Sequence, residues 1–177
     1  MIDFTVRGNP KALKRHQTTA IYKKGPDGKP IPVMKNGRVI TRQYDPSAED
    51  KKDFIAAVQN NAPETFLTGP LYLELHLFFQ RPKAHYRTGQ HSGELKESAP
   101  TWHINKFDLS NVQKFVEDSL NNIMYADDAQ ISVVFVYKKW ANVYPFIRVK
   151  LMPVMEWIGE TKDSGGVKEH NKQLALL

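Results

Sequence analysis

Residues 2–7, IDFTVR, alternate apolar and polar side chains, which predicts a short strand closed by the turn signal Gly8-Asn9-Pro10. After Pro70, LYLELHLFFQ sets Leu71, Leu73, Leu75, Leu77 and Phe79 at period two, the pattern of a strand with one face in the core. Phe54, Ala57 and Val58 recur at helical spacing behind Ser47 and Asp50, so a helix is expected over about 47–60. A second stripe, Leu109, Val112, Val116, Leu120 and Ile123, predicts a helix over about 110–123, with Ser110 as N-cap and Gln113 at capping-box spacing. Its other arc carries Asp108, Asn111, Phe115, Asp118 and Asn122. QISVVFVYKK and VYPFIRVKLM read as two strands, roughly 130–139 and 143–152, joined as a hairpin near Ala141-Asn142. The polar stretch from Pro82 to Pro100 suits a loop that contacts substrate. These elements define an α+β fold, a small mixed sheet packed with two main helices, as a single domain over residues 1–155. A poorly ordered tail is expected over 156–177.

A chain of 177 residues buries one sizeable core. No stretch approaches the roughly 18 apolar residues of a membrane span, and no cysteine is present to form a disulfide. Charges near the N-terminus stand where a signal peptide needs its apolar segment, so a cytoplasmic location is the expectation. The net charge of +6 is unevenly placed: residues 1–60 hold 12 Lys and Arg against 6 acids, and the remainder holds 13 of each. From Gly8 to Pro46 the chain reads as a basic loop, with a hairpin at Lys35-Asn36-Gly37-Arg38. Such an arm suits a polyanion, and Lys11, Lys14, Arg15, Lys23, Lys24 and Arg42 are its candidate phosphate contacts. The arm's aromatic residues are Tyr22 and Tyr44 alone, which disfavours a single-strand binder that stacks bases upon it.

Candidate chemistry collects between residues 108 and 128. Asp108 and Ser110 share a side at the approach to the second helix, Lys114 follows one turn on, and Asp127-Asp128 lie between that helix and the next strand. Carboxylates gathered at one point suit Mg²⁺ or Mn²⁺, hard cations that take oxygen ligands and accept phosphate oxygens. Lys114 could then face the scissile phosphate.

The run KFDLSNVQKFVEDSLNNIMYADDAQISVVFVYKK resembles the core signature of the RusA family of Holliday junction resolvases. In that family a Pro-Asp-Leu-Asp-Asn-Leu stretch is followed by a lysine, a helix segment and an Asp-Asp pair before a strand. VRGNPKALKR, YDPSAEDKKDFIAAV and LELHLFFQRPKAHY resemble further family segments, in order, over about residues 3–152. The resemblance implies a small α+β homodimer that binds branched DNA and cuts four-way junctions by paired symmetric nicks with a divalent metal, in DNA recombination and repair. It implies Asp108 and Asp128, with Asp127 beside them, as metal ligands. Lys114 and Asn111 match the family's lysine and asparagine, Asn111 as a DNA contact. Phage or prophage origin is a further expectation from the family.

Two positions depart from the pattern. Phe107 replaces the usual proline, and Ser110 stands where the second motif aspartate is expected, leaving Asp127 or Asp118 in reserve as ligands. An engineered inactivation, a natural loss of cleavage and a variant whose hydroxyl or water fills the ligand position all remain open. The alternative to an active enzyme is therefore a catalytically impaired protein that binds junctions without cutting.

Overall fold

The computed structural model describes residues 1–105 and 107–163. A four-stranded mixed sheet forms the centre, built from β1 (Ile2–Arg7), β8 (Leu71–Phe79), β9 (Ile131–Trp140) and β10 (Phe146–Pro153), in the order β1-β10-β8-β9. The period-two leucines of β8 are fully buried and Phe79 is nearly so. Two helices, α1 (Ala48–Gln59) and α2 (Leu109–Leu120), pack on this apolar face. Phe54 of α1 meets Phe115 of α2 edge to face at 5.7 Å. Phe115 therefore belongs to the core, at 1% exposure, and not to the polar arc assigned to it from sequence. The α+β fold expected for the RusA family is what the chain adopts, with both helices within two or three residues of their expected bounds.

The hairpin expected between the last two strands does not form. β9 pairs in parallel with β8, through the crossover that carries α2, while β10 pairs antiparallel with both β8 and β1. The segment Ala141–Pro145 thus carries the chain past β8 rather than making a tight turn. Local sequence favours adjacency, yet only a central β8 lets its five apolar side chains sit in the middle of the sheet. A helix α3 (Val154–Asp163) follows, where a tail was expected from residue 156, and Trp157 stacks flat on Tyr72 at 4.9 Å. The rest of that expected tail, 164–177, lies outside the described residues.

The basic loop is an organised arm. β2 (Gln17–Ala20) pairs with β7 (Thr41–Tyr44) as its stem. β3 (Tyr22–Lys24) with β4 (Pro30–Pro32), and β5 (Met34–Lys35) with β6 (Arg38–Val39), form two small hairpins above it. The three ladders meet in a ring of backbone bonds in which Ile21 donates to Ile40, Ile40 to Val33 and Val33 to Ile21, at 2.7–2.9 Å. Asn36 and Gly37 both have positive φ, 51° and 74°, as the expected two-residue turn requires.

Candidate functional site

The approach to α2 is set by Phe107, whose backbone is left-handed at φ 70°. That conformation is costly for a non-glycine residue and is held by its surroundings. Lys138 donates its ammonium to the Phe107 carbonyl at 2.8 Å, and the Phe107 ring lies over Phe79 at 5.7 Å. A proline, locked near φ −65°, could not take this shape, so the departure at 107 alters the backbone as well as the side chain.

Asp108 then takes the N-cap position, with φ −61° and ψ 133°, and Ser110 falls inside the first turn, so Ser110 is not the cap expected from its spacing. The Asp108 carboxylate makes no capping bond to the helix amides and instead accepts from the Asn111 side-chain amide at 3.3 Å. Asp108, Ser110, Asn111 and Lys114 are all exposed. They stand at the positive end of the α2 dipole or one turn beyond it, a favourable place for an anion. Lys114 lies 4.0 Å from Asp118, a loose contact.

Asp118, held in reserve as a ligand, is already engaged. Lys51, with a side chain only 13% exposed, reaches Asp118 at 3.1 Å and Asp45 at 3.2 Å, tying α1 to α2 and to the base of the arm. Asp45 also accepts from the Ser47 amide, and these bonds together outweigh its burial and hold its carboxyl below the usual range. Ser47 itself is buried and makes no cap; its hydroxyl accepts from the Lys14 amide at 2.8 Å.

At the other end of α2 the acidic pair sits on a one-turn 3-10 helix, Asp128–Gln130. Asp127 caps it, one carboxylate oxygen accepting from the Ala129 amide at 2.8 Å, and Gln130 completes the capping box. The Gln130 amide also donates to the carbonyls of Leu67 and Gly69, at 3.1 and 3.3 Å. Asp128 is half-buried. Close by, buried Tyr125 donates its hydroxyl to the Glu117 carbonyl at 3.0 Å. Burial first, and then the charges of Glu117, Asp128 and Asp118, raise the pKa of this phenol.

Asp108 and Asp128 therefore flank α2 from opposite ends. Glu117, beside the Asp128 turn, is nine residues beyond Asp108, roughly 14 Å along a helix that rises ~1.5 Å per residue. The sheet gives a second ruler, since Lys138, which binds Phe107, is the eighth residue of β9, and eight strand residues span roughly 26 Å. Among the described residues no three His, Asp or Glu side chains gather as a metal site. Within one chain the donor set does not fit a divalent cation. Among the described residues the Asp108 carboxylate accepts from the Asn111 amide, and Asp127 is partly spent on its cap.

The candidate phosphate contacts divide in two. Arg15, Lys23, Lys24 and Arg42 are exposed on the arm. Lys11 and Lys14 instead converge on Asp50 in the first turn of α1, at 3.2 and 2.6 Å, and the Lys14 bond, followed by that of Lys11, holds the Asp50 carboxyl low. Sequence reasoning missed Lys51 and Lys138. Each looks like an ordinary surface lysine in a charged run, and only the tertiary fold supplies its partners.

The fold and this signature define a class, the small α+β nucleases of branched DNA. The chain belongs to the endodeoxyribonuclease RusA family, whose model matches residues 25–152. It is also 28% identical over 153 residues to the uncharacterized protein YqaN of Bacillus subtilis (strain 168), covering 86% of this chain and 96% of that one. The activity of the family is Holliday junction resolution by endonuclease cleavage. No helix among the described residues is long and apolar enough to cross a membrane.

Proposed function

We propose that the protein is a divalent-metal-dependent endonuclease of phage or prophage origin that resolves four-way DNA junctions by paired symmetric nicks, acting as a homodimer in the bacterial cytoplasm. The observation that carries this reading is the Asp108 carboxylate, placed at the N-terminus of α2 but left out of its capping bonds, within a chain that matches the resolvase family. Asp108 and Asp128 are the proposed ligands, with Asp127 beside them, and Mg²⁺ or Mn²⁺ would supply water activation and charge stabilisation when bound. A homodimer, which the family resemblance implies, would reconcile their separation with a single cation. With a two-fold axis perpendicular to α2, two copies meeting along that helix would set the start of one beside the end of the other, and Asp108 of one copy with the acidic turn of the second would together hold a cation. Lys114 and Asn111, on the exposed side of α2, would face the phosphate, and the arm cations would hold junction arms without regard to base sequence.

Ser110 favours a second reading, a junction binder that cuts poorly. Its hydroxyl adds no charge beside Asp108, and a missing anionic ligand weakens a hard cation's hold. Nicking of a synthetic four-way junction with Mg²⁺ separates the two. The enzyme reading expects paired nicks from the unaltered chain and none from Asp108→Asn. The binder reading expects tight junction binding with nicks only after Ser110→Asp. If neither chain prefers a junction to a plain duplex, both fail.

A further inference from the structure

The sheet's second face is turned away from α1 and α2, and among the described residues α3 meets it at the Tyr72 end. Elsewhere it carries a continuous row of rings. Tyr144 lies 6.0 Å from Phe146, which stacks on Phe78 at 4.4 Å; Phe78 meets Tyr137 edge-on at 6.2 Å, and Tyr137 meets Trp102 at 6.1 Å. Tyr144 and Trp102, the two ends, are 44% and 45% exposed, and Phe78 and Phe146 are half-buried beside a groove that Asn142 and Val143 complete.

Cations mark both ends of the row. The Arg7 guanidinium lies 4.7 Å over the Tyr144 ring, and the Lys139 ammonium, itself buried, lies 4.5 Å from the Trp102 ring. The acids of this face are engaged internally. Asp3 holds Arg148 through bonds of 2.9 and 2.6 Å, and Glu74 accepts from Tyr72 and meets His76.

We infer that this face is a stacking platform for unpaired DNA, whose bases lie on Trp102, Tyr144 and Phe146 and whose phosphates meet Arg7. Rings recognise the flat faces of bases, which a duplex conceals, so the occupant is a strand out of its helix. A second copy of the same chain fits less well, because a two-fold contact sets Arg7 and Lys139 against a face of the same charge. The row ends at the β9 edge of the sheet, where Trp102 pairs with Lys139, while the adjacent Lys138, facing the other side, holds Phe107 at the approach to α2. A strand unstacked at a branch point thus has a place to lie on the far face of the sheet, across the β9 edge from α2. This deepens the proposed function and rests on it only for the source of the strand.

The test is the affinity of the full chain for labelled oligothymidine of about 16 nucleotides and for a duplex of equal length, by fluorescence anisotropy. Trp102→Ala, Tyr144→Ala and Tyr144→Phe are compared, with circular dichroism to check folding. Each alanine variant is expected to lose on the order of tenfold in single-strand affinity. Duplex affinity should hold, and Tyr144→Phe should bind as the parent does. The inference is overturned if the parent chain does not bind the oligothymidine, or if single-strand and duplex affinities fall together. It is overturned equally if the alanine variants break a dimer in sedimentation while oligothymidine binding is unchanged, which would make the face a contact between copies. A chain that binds oligothymidine through these rings but never nicks a junction would sink the nuclease reading and leave this one standing.

Discussion

At the scale of single residues, the acidic side chains around α2 differ in how far the fold already engages them. Asp118 is bound by Lys51 and Asp127 by its own short helix, whereas Asp108 is free of the cap it occupies. Lys51→Met should therefore act on stability, leaving two half-buried carboxylates without their shared cation. A loss of about 1–3 kcal/mol in urea unfolding is expected, and a loss below a few tenths would show the pair to be inconsequential. Asp108→Asn should leave the urea midpoint in place. The candidate chemical residues were legible in the sequence, because their types and spacing follow the family, whereas structural ones such as Lys51 were not. Ser110 and Gln113 have the spacing of a capping box, yet α2 begins two residues earlier with Asp108 as its N-cap, and a box forms instead at Asp127 and Gln130.

At the scale of elements, period-two and period-3.6 patterns disclosed β1, β8, α1 and α2, because each has one buried face. The arm strands have almost no buried face, and all that betrayed them was the Asn36-Gly37 turn. The β9–β10 hairpin was misread for a related reason, as strand order depends on which strand the core needs at its centre. The arm supplies none of the core, and Gln17 faces Tyr44 across its stem, so a short glycine-rich turn can replace residues 18–43. That variant should fold as before yet bind junctions less tightly. Its slope of log affinity against log salt should flatten by about 0.9 for each phosphate that the arm no longer neutralises. An unchanged slope would remove the arm from DNA binding.

The loop after β8 makes a prediction about pH. His103 stacks on Phe79 at 4.1 Å and lies 4.2 Å from Trp140, and His85 meets Trp140 edge-on at 4.9 Å. Burial, aided by nearby cations, holds both imidazoles below their usual pKa of 6.5. The unfolded chain then takes up protons first, so their contribution is complete above pH 6.5 and is lost as the pH falls through the lowered folded values. Urea midpoints should decline below pH 6.5, and His103→Phe should blunt the decline. An identical slope in that variant would assign the effect elsewhere.

For the molecule as a whole, the proposed reading makes the functional unit a pair of chains, each supplying one of the carboxylates that a single chain keeps at opposite ends of α2. The family resemblance implied a homodimer, but spacing in sequence says nothing about which copy completes a site. The most direct test is mixing Asp108→Asn and Asp128→Asn chains, in the parent or, if Ser110 limits cleavage, in a Ser110→Asp background. Nicking of a labelled four-way junction with Mg²⁺ is then followed. Each variant alone should be inactive, while the mixture should regain nicking, since one site of each mixed dimer keeps both carboxylates. Full activity in either variant alone, or a mixture as inactive as its parts although the chains exchange, would contradict the account.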